Sequence, residues 1–435
     1  MFLQTVHVTE GIRLSCIQTD KFKTGILTLS LALPASKESA ALASVLPGVL
    51  RRGTEKYPDM ASINRRLDDL YASCIDIRCT KIGKNPILLF SAEMLDQAYV
   101  PDDLDLIDGV LDMLAQTLRY PNRSNGKFDT PLVEQEKRFE LDALHSLINN
   151  TRAYASVRLQ EMLFSRDPFY ATLDERKSRI AEISSADLSK FYDEHIKKAP
   201  LDFFYVGSLS PHDVSQKIKL YFGDYIAAAT LPIIPPAAEV PLPFRAKVET
   251  MSVSQGKLAL GFRLNAVADG QSNLHYAALM FNEIFGGSPA SKLFLNVREK
   301  MSLCYHCSSS FNQYVGILCV SAGIDPSNYA VARDAILNQL ADIQNGLVSE
   351  TEFGAAKVSL ANAFRSAYDN PYDLQSFYGN RLFFNLNESI EDCLKRIENV
   401  TVKDVIAIAQ ETVLDSEFFV NGTGGNEAEK ENDDE

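Results

Sequence analysis

Length, composition and charge exclude several classes of protein. The chain has 435 residues, 46% of them hydrophobic, so we expect more than one domain, because single cores stop growing near about 250–300 residues. A formal net charge of −14 argues against nucleic acids and anionic membranes as partners. The sequence shows no signal peptide and no apolar run of roughly 20 residues, and its seven cysteines have no framework spacing. We therefore expect a cytoplasmic protein without a disulfide framework.

The first half of the chain mixes strand and helix patterns without strict alternation, which predicts an α+β fold. In chain order, the predicted elements are strands 11–17 and 25–33, helices 40–50 and 60–70, strands 71–80 and 85–94, helices 104–118, 132–149 and one around 159–163, helix 185–195 and strand 203–206.

The second half repeats this plan. Residues 183–195, followed by a short apolar strand, resemble residues 399–412, which are also followed by such a strand. Glu136 corresponds to Glu352 at an offset of 216 residues, from 352 − 136. Asp187 corresponds to Asp404 at an offset of 217, from 404 − 187. Two separate blocks with nearly the same offset indicate a duplicated domain.

A proline-rich segment separates the two copies. Residues 229–244 contain five prolines and no glycine, a composition typical of a stiff, extended linker. The end of the chain differs again, since residues 427–435 carry six acidic side chains and one lysine. Such a segment cannot bury apolar surface and is expected to be disordered. The predicted organisation is an N-terminal domain 1–226, a linker 227–245, a C-terminal domain 246–423 and an acidic tail 424–435.

The most informative stretch covers residues 285–310. Gly286 and Gly287 allow the backbone to bend sharply or to approach a ligand closely. A short amphipathic helix follows with Arg298 near its end, and Tyr305 comes where the pattern becomes extended. A glycine hinge, an arginine and a tyrosine brought together in this way can grip the backbone of an extended peptide. Taken locally, the pattern also fits a buried tyrosine and a surface arginine beside an ordinary helix-to-strand turn.

This stretch resembles the C-terminal half-domain of the M16 family of zinc peptidases, the insulinase or pitrilysin family. In that family a glycine-rich turn leads into the motif S-x-L-F-x-x-x-R-E-K-x-x-L-x-Y. The matching residues here are Ser291, Leu293, Phe294, Arg298, Glu299, Lys300, Leu303 and Tyr305. The resemblance extends to Gly53 and Thr54, to the strand 258–262 and to the glutamate-rich helix 134–140, so it covers nearly the whole chain.

The resemblance implies an architecture and a set of site residues. It implies two homologous α/β sandwich domains, similar to those of the mitochondrial processing peptidase, joined by the proline-rich linker. It also implies that Arg298 and Tyr305 take part in catalysis and that Gly286 and Gly287 help to bind the substrate.

The zinc-binding half of the family's site is missing from the sequence. In active members the first helix carries H-x-x-E-H, whose histidines bind zinc and whose glutamate activates the bound water. Alignment on Gly53 places these positions at Ser44, Pro47 and Gly48, and places the third ligand, a glutamate in the family, near Ala143. None of the six histidines belongs to an H-x-x-E-H or H-E-x-x-H motif. We therefore expect no metal and no cofactor in this chain.

These features together suggest a function. The resemblance implies the non-catalytic subunit of a heterodimeric M16 zinc peptidase, which supplies Arg298 and Tyr305 to a zinc-bearing partner with an intact H-x-x-E-H. The expected substrate is a peptide, and the chain alone is expected to be inactive. Within the family, the lost zinc motif, the length and the stretch LPGVLRRGT resemble bacterial proteins named for an association with the 5-aminopentanol modification of elongation factor P. The alternative is an inert scaffold protein that uses the M16 fold for assembly alone.

Overall fold

The computed structural model describes residues 2–101, 104–228, 233, 243–264, 266 and 273–423. Most of the predicted linker and all of the predicted acidic tail lie outside these residues. Among the described residues, no helix combines the length and the apolar character needed to cross a membrane.

The strands and helices follow one another much as predicted. The strands are β1 (Leu3–Thr9), β2 (Ile12–Gln18), β3 (Thr24–Ala32), β4 (Cys74–Ile82), β5 (Asn85–Leu95), β6 (Leu201–Gly207), β7 (Arg245–Met251), β8 (Gly256–Arg263), β9 (Cys304–Asn312), β10 (Ile317–Ile324) and β11 (Val413–Gly422). The α-helices are α1 (Lys37–Leu50), α2 (Met60–Asp69), α3 (Leu106–Arg119), α4 (Thr130–Ser146), α5 (Thr151–Leu163), α6 (Leu173–Glu182), α7 (Ser185–Phe191), α8 (Pro211–Phe222), α9 (Leu274–Asn282), α10 (Tyr329–Gln344), α11 (Glu350–Ser366), α12 (Pro371–Phe383), α13 (Ile390–Asn399) and α14 (Val402–Glu411). Wider π-helical segments cover Tyr192–Ile196, Glu283–Gly287 and Leu293–Lys300.

The first compact unit comprises Met1–Leu144, Pro168–Ile234 and Ser366–Asn387. Its sheet has the order β1-β2-β6-β3-β5-β4, in which β2 and β6 are parallel. Strands β3 and β5 are buried along almost their whole length. Helices α1 and α3 contact β5, and α12 contacts β6 and β3. Both faces of these strands are therefore covered, and even Thr28 and Ser30 of β3 are buried.

The second compact unit comprises His145–Asp167, Pro235–Arg365 and Glu388–Glu435. Its sheet has the order β7-β11-β8-β10-β9, in which β7 and β11 are parallel. This is the order of the first sheet without β1, and the parallel pair occupies the same place in both. The equal topology is the structural counterpart of the sequence repeat. Strand β7 precedes the segment 258–262 that the sequence suggested as the first strand of this half.

Each compact unit contains a helix from the other half of the chain. Helix α5 belongs to the second unit, where it contacts β8, β10 and β11. Helix α12, its counterpart in the repeat, belongs to the first unit. The compact units therefore differ from the continuous ranges 1–226 and 246–423. Periodicity predicts that a segment is helical, but it does not tell on which sheet the helix packs.

Candidate functional site

The predicted glycine hinge is the end of a helix that packs closely on strand β9. Helix α9 continues into the π-helical segment Glu283–Gly287. Gly286 is buried, and a Cβ atom there would lie 2.7 Å from the backbone nitrogen of Ser309. A Cβ atom on Gly287 would lie 2.4 Å from the side-chain nitrogen of Asn282. Both glycines thus serve close packing within the chain, and their contact with a substrate stays a prediction.

Arg298 lies near the end of the next helical segment, Leu293–Lys300. Leu293 and Val297 are buried and fix the segment on the core, while Phe294 is half-buried. The guanidinium carbon of Arg298 lies 4.6 Å from the centroid of the Phe294 ring. Its Nε lies 3.6 Å from a carboxylate oxygen of Glu299, and 38% of the Arg298 side chain is exposed. The guanidinium is therefore held over a ring without a short ion pair, and most of its donors remain available.

Tyr305 follows after a sharp turn. Ser302, in this turn, has a φ of +53°, in the left-handed region that non-glycine residues seldom adopt. Tyr305 is the second residue of β9, and 63% of it is exposed. Arg298 and Tyr305 line the same cavity of about 460 Å³, together with Asp325 and Asn328. The structure therefore brings the predicted arginine and tyrosine together.

Strand β9 is an edge strand. It pairs with β10 on one side and ends the five-stranded order of the second sheet. The outer backbone groups of an edge strand can pair with an added extended peptide. Tyr305 and the cavity thus lie where a peptide strand could be added.

The three zinc positions of the first unit carry residues that serve the fold of α1. The hydroxyl of Ser44 donates a hydrogen bond of 2.9 Å to the carbonyl of Ala41 in its own helix. Pro47 is buried inside α1, which nevertheless continues to Leu50. Gly48 faces helix α4, and a Cβ atom there would lie 2.2 Å from Oε2 of Glu136. None of the three positions offers the imidazole or carboxylate that the family's motif supplies there.

The acidic side chain that faces Gly48 is Glu136, whereas the predicted third-ligand position carries the methyl group of Ala143. Ala143 is exposed and lies about two turns further along α4, whereas Glu136 is 7% exposed. The contact between Glu136 and Gly48 could not be predicted from the sequence, because the register of α4 against α1 depends on packing.

Arg52 forms an ion pair with the carboxylate of Glu136. Its Nε donates to Oε1 of Glu136 at 2.7 Å, and its Nη2 donates to the same oxygen. The guanidinium carbon also lies 5.9 Å from the Phe139 ring centroid. An internal cation thus compensates the carboxylate that lies beside Gly48. Within the described ranges, no group of three or more His, Cys, Asp or Glu residues is placed to hold a metal ion.

A neighbouring carboxyl group shows how strongly this corner is desolvated. Burial raises the pKa of Glu140, although the guanidinium groups of Arg176 and Arg51 act in the opposite direction. Glu136 adds a small repulsion that raises this pKa further. A buried carboxylate in such surroundings needs a cation, which for Glu136 is Arg52.

Known proteins with similar sequences and structures point to one family. The family model described as "Peptidase M16 inactive domain" matches residues 182–360. Over 417 residues the chain is 30% identical to the "Probable inactive metalloprotease YmfF" of Bacillus subtilis, which covers 95% of this chain and 97% of that protein. A conserved protein from Enterococcus faecalis superposes with a TM-score of 0.87 at 26% identity, covering 98% of this chain and 99% of that one. A peptidase M16 inactive domain from Pseudomonas fluorescens shares the fold, with a TM-score of 0.79 at 20% identity and coverage of 97% and 99%.

Proposed function

Because the chain belongs to the M16 peptidase family as an inactive homologue, we propose that it is the non-catalytic, substrate-binding subunit of a heterodimeric M16 zinc peptidase. Its partner would be an M16 protein with an intact H-x-x-E-H motif and its zinc ion, and its substrate a peptide. The observation that carries the proposal is that Arg298 and Tyr305 line one open cavity beside an edge strand.

The chemistry of these two side chains suits a peptide backbone. A peptide that lies along β9 would present carbonyl oxygens to the Tyr305 hydroxyl, which donates one hydrogen bond, and to the Arg298 guanidinium, which donates several. The partner's zinc would supply the activated water. As that water attacks, the carbonyl oxygen gains negative charge, which pre-aimed donors stabilise. One such donor is typically worth about 3–4 kcal/mol in rate.

The first unit supports a role without metal in this chain. Ser44, Pro47 and Gly48 stand at the ligand and base positions, and Glu136 is held by Arg52. The ion pair between Arg52 and Glu136 is also compatible with an inert scaffold. The two functions differ in what they require of the second unit, because a scaffold has no need of donors in the cavity.

The test is co-expression with an H-x-x-E-H protein of the M16 family from the same organism, followed by complex isolation and peptide cleavage. Tyr305→Phe removes one hydroxyl, and Arg298→Lys keeps the charge but loses the planar fork. We expect both variants to form the complex normally and to lower turnover by roughly 10²-fold or more. Tyr99→Phe, at a tyrosine that is 54% exposed in the first unit, is the control and should leave turnover unchanged.

Two results would count against the proposal. Full turnover with both variants would exclude the role of Arg298 and Tyr305 in cleavage and favour the scaffold. Failure of the two proteins to associate at micromolar concentrations would exclude the heterodimer itself.

A further inference from the structure

A second cavity of the second unit lies over a face of its sheet that carries several small residues. The register of β8, β10 and β9 places Gly323 between Lys257 and His306 in one row. The next row places Ser321 between Ala259 and Ser308. Residues two apart in a strand share a face, so these side chains belong to one surface. The small central residues leave room above the sheet.

Helix α5 covers only part of this face. Leu159 and Leu163, toward its C-terminal end, pack with Ala259 and Phe418 in one apolar cluster. At its N-terminal end the helix leaves open a cavity of about 340 Å³, lined by Arg152 and by serines of α5, β9 and β10. A volume of this size suits one residue of a ligand and is too small for a polymer.

Three basic side chains belong to this face: Arg152 lines the cavity, and Lys257 and His306 lie in the neighbouring row of the sheet, beside the row of Ser321 and Ser308. An Nη of Arg152 lies 3.5 Å from the hydroxyl of Ser308, at the rim. The ring of His306 and the ammonium of Lys257 lean over Gly323, since a Cβ atom there would lie 2.6 Å from the His306 Nδ1 and 3.3 Å from the Lys257 Nζ. Nε2 of His306 also lies 3.3 Å from the hydroxyl of Ser321.

These basic groups have no carboxylate partner among the residues that the structure describes. The Lys257 ammonium donates to the amide oxygen of Gln255 at 2.7 Å, a neutral acceptor. Burial and then the charge of Arg152 lower the pKa of Lys257. Burial, and then the charges of Arg152, Lys257 and Arg298 in that order, together lower the pKa of His306 to about 4. Arg152 and Lys257 therefore repel each other, and both disfavour a proton on His306, in a chain whose net charge is −14.

We propose that Arg152, Lys257 and His306, with the serines between them, form an anion site that binds a carboxylate of the peptide substrate. The proposal rests on the proposed function, and it adds a preference for peptides that carry a C-terminal or side-chain carboxylate. The site offers two cationic donors, hydroxyl donors and an imidazole that can take up a proton. The positive end of the 13-residue helix α5 adds to the field at the cavity. A polyanion is disfavoured by the charge of the whole chain.

The test measures binding to the full chain alone, without a partner and without turnover. Three N-acetylated pentapeptides are compared by calorimetry at low salt: Phe-Leu-Ala-Phe-Ala with a free C-terminus, its C-terminal amide, and the amide with glutamate in third position. We expect at least one carboxylate peptide to bind about tenfold more tightly than the neutral amide. The free terminus and the glutamate distinguish the two sources of the carboxylate.

Variants locate the site. Arg152→Gln and Lys257→Gln should each remove most of the advantage of the carboxylate peptide, whereas Lys403→Gln, on an exposed surface of α14, should keep it. NMR of histidine ring carbons gives a second readout, since a bound carboxylate should raise the pKa of His306 above its value of about 4.

Three outcomes would overturn the proposal. Equal affinity for all three peptides would remove the carboxylate preference, and an unchanged preference in Lys257→Gln would place it elsewhere. Binding of inorganic phosphate that depends on Lys257, without any preference among the peptides, would assign the site to a phosphate ligand instead. Since cleavage is not measured, each of these results stands whether or not a heterodimer with peptidase activity exists.

Discussion

Two regions of the molecule differ in how their charged side chains are paired. One is the place in the first unit where α1 meets α4, and the other is the cavity beside β9 in the second unit. In the first, the carboxylate of Glu136 is satisfied by Arg52 of the same chain. In the second, Nε of Arg298 comes no closer than 3.6 Å to a carboxylate oxygen of its exposed neighbour Glu299, and Tyr305 is exposed at the surface. The first arrangement stabilises the fold. The second leaves hydrogen-bond donors available to another molecule.

This difference concerns how the chain accommodates an acid beside the positions at which the family's zinc motif carries histidines. A buried carboxylate without a cation is costly, by several kcal/mol. Ser44 and Gly48 stand where the family's motif has its two histidines. Glu136 lies beside Gly48, and Arg52 compensates its charge from within the chain. The second unit repeats the theme with Lys292 and Glu352, which form an ion pair at 2.7 Å. A cation paired with the glutamate of the long helix therefore occurs in both halves.

The largest effect expected in the first unit follows from removing its internal cation. Arg52→Met keeps the length of the side chain and its contact with Phe139 but leaves Glu136 as a buried carboxylate without its partner. We expect the free energy of unfolding to fall by about 3 kcal/mol, toward the lower end for a broken buried pair because 31% of the Arg52 side chain is exposed. Urea unfolding followed by circular dichroism measures the loss.

A double variant separates charge from packing. Arg52→Met combined with Glu136→Gln removes both charges and should recover most of the lost stability, since a neutral amide is cheaper to bury than a lone carboxylate. A double variant as unstable as the single one would show that packing by Arg52, and not its charge, holds this corner.

The sequence predicted most elements, but it could not predict which of them meet. The strand and helix patterns, the repeat and the Arg298–Tyr305 motif are local or periodic signals that a single chain displays. The pairing of Arg52 with Glu136 spans 84 residues and depends on the register of two helices. The exchange of α5 and α12 between compact units depends on which sheet offers an apolar face. Neither has a signature in a sequence window.

The basic surface of the second unit was missed for the same reason. Arg152 belongs to α5, Lys257 to β8 and His306 to β9, so three distant segments contribute one residue each. In the sequence, His306 lies between Cys304 and Cys307, a local pattern that carries no information about Arg152 or Lys257. The cross-strand register over Gly323 is what brings its ring to Lys257.

The next-largest effect on stability is expected at Gly286, and it tests whether the glycine turn is part of the fold of the second unit. Gly286→Ala would place a Cβ atom 2.7 Å from the backbone nitrogen of Ser309, an atom that cannot move without distorting β9. We expect a loss of about 2 kcal/mol in the free energy of unfolding, typical of an overpacked site. Because β9 carries Tyr305, turnover of the complex should fall as well. Unchanged stability would mean that the turn adapts, and that its glycines are free to serve the substrate.

A smaller effect is expected at the glycine of the first unit. Gly48→Ala would bring a Cβ atom to 2.2 Å from Oε2 of Glu136, so the carboxylate must shift against Arg52. The end of a side chain yields more easily than backbone, and we expect a net loss of about 1 kcal/mol. Gly354→Ala is the control, since a Cβ atom on this glycine of α11 meets nothing within 4 Å. It should stabilise the chain by about 0.5–1 kcal/mol, because alanine favours helix.

The smallest effect concerns pH and the basic surface of the second unit. The pKa of His306 is lowered from 6.5 to about 4, because the ring is partly buried and lies near Arg152, Lys257 and Arg298. The unfolded chain therefore takes up a proton at a higher pH than the folded one. The contribution of His306 to stability is complete above pH 6.5 and is lost as the pH falls from there through 4. Because the ring is only half-buried, solvent screening reduces the loss to about 1 kcal/mol.

His306→Gln should flatten the dependence of urea stability on pH in this window by that amount. Lys257→Gln should raise the pKa of His306 by removing a repelling charge, and Lys403→Gln should leave it unchanged. A slope that survives in His306→Gln would show that other groups govern the acid response and would contradict this prediction.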